Sequence, residues 1–403
     1  MNVIALAFAY LRRRWGQALL SILVGALGIT AVSTAFVGLD ALPDAAERSW
    51  GGVDLVVGPK GSALDLVLCC ALHISDPRGL VSEKAAMAAV DHPLVRVAAP
   101  IALGDNVEGW RIVGTTPKIL WVYRADVAQG RMWTKPLQAV LGAGVAKALH
   151  LKLGDRFIGA HGLEAGGEMH SQFPYTVVGI LAPTGSVLDR LVLCDIETIR
   201  YIHRMHAEDE AALSGITETY VNLPDAATAV VASYKSPVAA LLVPRLIEAS
   251  PTLSAASPTF EIARVMSYLR PLTVAATAIG ILLVSIAAAG AAAGLMATMN
   301  TRTRDLALLR ALGAGPFSIA SVAFAEAAMI ALAALLTGLG LCAALMLWGA
   351  DMLADQTGLL LKPQFDVSDV GYLVAGAFAV AALAALFPAI RAARTPMEEL
   401  LQS

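Results

Sequence analysis

Apolar residues gather in four long runs, at 16–39, 271–299, 317–349 and 370–390. Each is long enough to cross roughly 30 Å of hydrocarbon as a helix. Between the first and second runs the pattern changes to short apolar stretches broken by polar, Gly and Pro positions. There VDLVVG, RVAAPIAL, WRIVGTT, YTVVGIL and DRLVLCD read as strands, while SEKAAMAAVDH, GVAKALHL, DIETIRYIHRMHAEDEAAL and SPVAALLVPRLIEAS read as helices. SPTFEIARVMSYLRP should run helically into the second apolar run and form a stalk for it. The expected fold is membrane α-helical, with four transmembrane helices and a large α/β extracytoplasmic domain, residues 40–270, inserted between helices 1 and 2. An insert of that size can bury a core of its own, in one or two lobes.

Composition supports the membrane assignment. Of 403 residues, 57% are hydrophobic and 15% charged, and the mean hydropathy of +0.67 exceeds what a soluble domain hides. Lys and Arg set the orientation. Arg12, Arg13 and Arg14 precede the first run, Arg302, Arg304 and Arg310 follow the second, and Arg391 and Arg394 follow the fourth. The 350–369 loop instead carries Asp351, Asp355, Asp366 and Asp369 against Lys362 alone. Segments 1–15, 300–316 and 391–403 are therefore expected in the cytoplasm, and 40–270 and 350–369 outside it. The first run exceeds the length of a signal-peptide core and is expected to stay as an anchor. A net charge of -3 and the lack of a basic face with interleaved aromatics argue against nucleic acid.

The sequence has no GxxxxGK[ST], GxSxG or HExxH, so it is not expected to be an enzyme or to hydrolyse ATP by itself. Ligand chemistry concentrates in AHGLEAGGEMHSQFPY, where His161, Glu164, Glu168 and His170 offer imidazole and carboxylate donors suited to zinc. A solvated hairpin is the alternative. His203 and His206, on a helix with Arg200 and Arg204, read as a solvated face. Cys69 and Cys70 are adjacent, which leaves Cys194 as an open disulfide partner for either, and Cys342 reads as a small residue packed within the third run. Glu326 lies about ten residues into that run, where facing lipid costs roughly 2.5–3.5 kcal/mol, and should face protein. Gly290 and Gly294, four apart, mark a candidate dimer face, with packing inside the chain as the alternative.

The loop RTRDLALLRALGAGPFSI, the following FAEA, and PAIRAARTPMEEL near the end resemble the permease signature of the MacB/FtsX superfamily of ABC transporters. GRMWTKPLQAVLGAGVAKALHLKLGDRF is similar to that family's external MacB-like core domain. The resemblance implies a permease subunit that dimerises with a second or related permease and binds a separate cytosolic ATPase, which holds the ATP and Mg. This chain would then carry no cofactor of its own, zinc aside. It further implies a coupling helix that docks the ATPase through Arg302, Arg304, Asp305, Leu309 and Arg310 and ends at Gly313, with support from Arg391, Arg394 and Glu398. Movement of the external domain, rather than passage through a channel, would release or export a substrate at the outer face of a bacterial inner membrane. A periplasmic adaptor or substrate-binding protein and membrane lipids are further expected partners. Lipoprotein release is the alternative task, and an ATP-independent receptor or scaffold the alternative class.

Overall fold

In the computed structural model the chain divides into two compact units, one comprising Met1–Leu42, Tyr268–Met352 and Leu361–Ser403, the other Pro43–Ser267 and Leu353–Leu360. The structure describes residues 3–209, 225–301, 314–357, 360–362, 364 and 366–394. Helices α1 (Val3–Arg13) and α2 (Trp15–Trp50) open the chain. The second unit then follows as β1 (Leu55–Pro59), α3 (Ala63–Cys70), β2 (Val81–Ser82), α4 (Glu83–Ala89), β3 (Val95–Val107), β4 (Trp110–Thr115) and α5 (Ile119–Tyr123). Next come β5 (Val127–Gly130), β6 (Gln138–Leu141), α6 (Ala143–Ala148), β7 (Arg156–Phe157), β8 (Ala160–His161), β9 (Tyr175–Leu181), β10 (Val192–Asp195) and α7 (Ile196–Asp209). The unit closes with β11 (Ala226–Ala227), β12 (Ala229–Tyr234), α8 (Ala239–Glu248) and β13 (Leu253–Ala256).

One mixed sheet in the order β13-β1-β12-β3-β4-β10-β6-β9-β5 organises this unit, with β7 beside β9 and β8 beside β3, while β11 and β2 pair separately. Alternation along each strand sorts side chains to two faces. On one face Val56, Leu103, Val113, Leu193 and Val231 join a core covered by α3 and α5 and entered by Trp50. The opposite face carries two separate patches. Leu55, Val57 and Val230 pack under α4 and α8, whereas Ala102, Ile112, Val192 and Cys194 pack under α6 and α7. The one-or-two-lobe expectation thus resolves into a single sheet with one shared core and two patches behind it.

Serine caps start two of the helices. Ser62 caps α3 by accepting from the Asp65 amide, and Ser82 caps α4 by accepting from the Ala85 amide. The disulfide left open for Cys194 is not formed, and all four cysteines are free and buried. The physical reason is the strand alternation: Cys194 points to the α7 face, while Cys69 and Cys70 lie in the core on the other side of the sheet.

The other unit completes its helices with α9 (Pro258–Thr301), α10 (Pro316–Thr357) and α11 (Val367–Arg394). Among the described residues four helices, starting at Trp15, Pro258, Phe317 and Ser368, are long and apolar enough to cross a membrane. They outrun the apolar stretches that foretold them, and α9 continues unbroken through Pro271. Small residues let these helices approach closely. A Cβ at Gly28 would stand 2.7 Å from the Gly280 carbonyl oxygen, and one at Gly280 would stand 2.8 Å from the Gly28 carbonyl oxygen. Gly338 sits equally tight against the Ala26 carbonyl and Ile29. Thr30 Oγ1 lies within hydrogen-bond distance of both the Ala26 and Gly338 carbonyls, at 2.8 and 3.0 Å, which ties α2 to α10.

Gly280→Ala is expected to push α9 off α2 and to lower stability by about 1–3 kcal/mol, seen as a reduced thermal midpoint of the detergent-solubilised chain. Gly340→Ala, at a position with open space around it, should be neutral or gain up to about 1 kcal/mol in the same measurement.

Candidate functional site

The expected coupling residues Arg302, Arg304, Asp305, Leu309, Arg310 and Gly313 lie outside the described residues, as does Glu398. Arg391 and Arg394 fall in the last turn of α11, and Arg391 is exposed. Glu326 is only 5% exposed and lines a small cavity with Arg14, Gln17, Ser21 and Gly294, so its carboxylate sits among polar groups of α2 and α9. Arg14 Nη1 donates to the Gly294 carbonyl at 2.8 Å. Gly294 also lies against the Gln17 side chain, and Gly290 makes an ordinary contact with Ser21 Oγ at 3.6 Å. Both glycines therefore receive α2 of the same chain, the packing alternative to a dimer face.

A second polar centre is built on β3, in the α/β unit. This strand pairs with β12 through its first half and with β4 through its second, and the β4 register shifts between Leu103 and Asp105. The irregularity falls at Gly104, where a Cβ would land on His203 Nε2, so only a glycine leaves room for that imidazole. Asp105 is then directly opposite His161 on β8, with both side chains on the face that α7 covers. His170 Nε2 stands 3.1 Å and His203 Nε2 3.3 Å from Asp105 Oδ1. The His161 ring centroid lies 5.1 Å from that of His203 and 6.0 Å from that of His170.

Backbone contacts fix these donors. The His161 amide donates to the Glu168 carbonyl, the His170 amide to Gly159, and the Gly162 amide to Gly104. Asn106 Nδ2 donates to the Gly162 carbonyl at 3.1 Å, and Phe173 meets Tyr201 edge to face, which holds the hairpin against α7. Burial by itself would raise the Asp105 carboxyl, but His203 and His170 beside it hold it well below the usual carboxylate range. Burial, with Cys194 and Asp105 nearby, pushes the Tyr175 hydroxyl up.

This arrangement corrects the expected ligand set. His161 meets Asp105 and His203, and His170 hydrogen-bonds Asp105, while Glu164 and Glu168 are exposed on the hairpin and take no part in the cluster. The reading of His203 and Arg200 as a solvated face is also wrong. His203 is fully buried, and Arg200 is 3% exposed, bonded to Glu83, Glu197 and the Ala226 carbonyl. Ile199 and Ile202 mark the inner face of α7, and Arg200 and His203 each follow one of them, a spacing that pointed inward.

Away from this cluster, His73 adopts a left-handed backbone and is buried, with Arg111 and Arg190 acting on it. Burial, reinforced by Arg111 and Arg190, pushes its imidazole down to about 3. Arg111 is held by the Ser75 carbonyl at 2.7 Å, and Arg190 stacks over Trp110.

In chain order the α/β domain lies between the first and second of the long apolar helices. Residues 18–235 match the MacB-like periplasmic core domain and residues 272–397 the FtsX-like permease C-terminal domain, so the chain belongs to the MacB/FtsX permease family. Members are the permease components of ABC transporters, work with ABC ATPase partners and are not themselves ATPases. No curated protein matches the chain. Among solved structures it is similar to the periplasmic region of MacB from Actinobacillus actinomycetemcomitans, at 14% identity and a TM-score of 0.33, over 54% of this chain and 94% of that one. It is also similar to the extracellular domain of the noncanonic ABC-type transporter YknZ from Gram-positive bacteria, at 12% identity and a TM-score of 0.30, over 51% and 99%.

The depressed His73 sets a pH dependence with a definite sign. Its unfolded value is near 6.5 and its folded value about 3, so between these the unfolded chain binds more protons and stability rises with pH. The contribution is complete above pH 6.5 and has fallen by about 2–3 kcal/mol at pH 4.5. His73→Asn keeps a residue that tolerates positive φ and is expected to flatten the acid limb of a thermal-midpoint profile between pH 6.5 and pH 4.

Proposed function

We propose that this chain is the permease subunit of an ABC transporter in which a separate cytosolic ATPase drives movement of the external α/β domain, so that a substrate is released or exported at the outer face of the bacterial inner membrane. The order of its parts carries the reading: one span, the MacB-like domain, then three spans of the FtsX-like type, with the basic segment 302–313 between α9 and α10. An odd number of crossings separates that segment from the external domain and an even number separates it from the N-terminus. Arg12, Arg13, Arg302, Arg304, Arg310 and Arg391 then share one side, which the positive-inside rule makes the cytoplasm. Both termini are cytoplasmic and residues 43–267 lie outside.

On this reading Arg302, Arg304, Asp305, Leu309 and Arg310 dock the ATPase, Gly313 ends the coupling helix, and Arg391, Arg394 and Glu398 flank it. Closure of the ATPase pair on ATP moves α9 and α10 as levers. A second permease copy or a related permease completes the assembly, and a periplasmic adaptor or substrate-binding protein is its external partner.

Purification of the tagged chain from its native cells in mild detergent, followed by mass spectrometry, tests the reading. A cytosolic ABC ATPase is expected to accompany the wild type. Charge reversal in Arg304→Glu/Arg310→Glu should reduce it at least about tenfold while leaving the amount of permease unchanged. Absence of any ATPase from the wild-type preparation would favour a receptor or scaffold instead.

A further inference from the structure

We propose that the external domain holds a divalent transition metal of the zinc class on Asp105, His161 and His203, with His170 beside them on Asp105 Oδ1. The site is independent of the transport reading, since it rests on donor chemistry and geometry alone. Two imidazoles and one carboxylate form a donor set for borderline cations, and zinc held by three protein ligands completes its tetrahedron with a water. With bonds of about 2.0–2.1 Å, neighbouring ligand atoms of a tetrahedral zinc lie about 3.3–3.4 Å apart. The distance from Asp105 Oδ1 to His203 Nε2, 3.3 Å, is of that size. Ligand atoms of Asp105, His161 and His203 lie within 4.8 Å of one another.

Burial supplies an independent argument. Asp105, His170 and His203 are at most 1% exposed, and Asp105 Oδ2 makes no hydrogen bond among the described residues. An interior carboxylate with an orphaned oxygen is costly, and a bound cation in reach of both oxygens removes the cost. The donors are also placed in advance. The Gly104 bulge makes room for His203, β8 sets His161 opposite Asp105, and backbone hydrogen bonds fix both ends of the 161–170 hairpin. Three protein ligands join β3, β8 and α7, segments distant in sequence, at one point and leave the fourth tetrahedral position to a water.

The test uses the full chain in detergent, stripped with chelator and titrated with Zn2+ or Co2+ alone. One metal per chain is expected, with the intense visible absorption of tetrahedral Co2+, and a thermal midpoint raised by on the order of 10 °C at a thousandfold excess of Zn2+ over Kd. His161→Ala, a partly exposed ligand whose loss the fold should survive, is expected to abolish the tetrahedral spectrum and the midpoint shift, and His203→Ala to do the same. Glu164→Ala and Glu168→Ala should match the wild type. A stripped wild type that takes up no metal, or a His161→Ala variant that binds as well as the wild type, would make the cluster a hydrogen-bonded histidine cage. Loss of binding in Glu164→Ala or Glu168→Ala would overturn the ligand set.

Discussion

The external domain depends on β3 being hydrogen-bonded along both edges to strands of different origin. Its residues Val95 to Ile101 pair with β12, and Ile101 to Val107 pair with β4, so one backbone carries the junction between the antiparallel half of the sheet and the mixed half. Every buried amide and carbonyl of a central strand needs a partner, and β3, held by β12 along its first half and by β4 and β8 along its second, has its register fixed at both ends. The faces of the sheet follow from that register. Leu103 is committed to the shared core, Ala102 to the patch under α7, and the extra residue at Gly104 restores Asp105 to the α7 side.

The membrane unit obeys a different constraint. In lipid the hydrophobic effect does not press helices together, so their contacts rely on close approach and on the few hydrogen bonds that close approach permits. The α2 helix is the common surface. Gly28 meets α9, Ala26 and Thr30 meet α10 through Gly338, and Gln17, with Arg14 just ahead of the helix, meets Gly294. Glu326 is placed where α2 and α9 supply polar company, which is how a carboxylate persists inside a transmembrane helix.

Much of this was legible in the sequence, and what was not has physical reasons. Runs of apolar residues longer than any soluble helix requires gave the four spans. Alternation and turn residues gave β4, β9 and β10, and the periodicities of SEKAAMAAVDH and SPVAALLVPRLIEAS gave α4 and α8. The length of β3 was hidden because Gly104 and Asp105 look like the start of a turn, whereas they form a bulge. Half of the histidine cluster was visible, since His161 and His170 share one hairpin. Asp105 and His203 were not, because they reach it through sheet pairing and helix packing that no local spacing encodes. Arg200 and His203 misled for a related reason: charged and polar residues on a helix ordinarily face water, and these two are tolerated inside only because Glu83, Glu197 and Asp105 meet them there.

The crossing of α2 and α9 has a consequence for how the sequence can drift. Usually a helix interface that grows at one position is rescued by shrinkage at its partner. At Gly28 and Gly280 each residue faces the other's carbonyl oxygen, and each is already the smallest residue available. Neither position can yield to the other, so the pair leaves no compensating path, and both glycines must be inherited together.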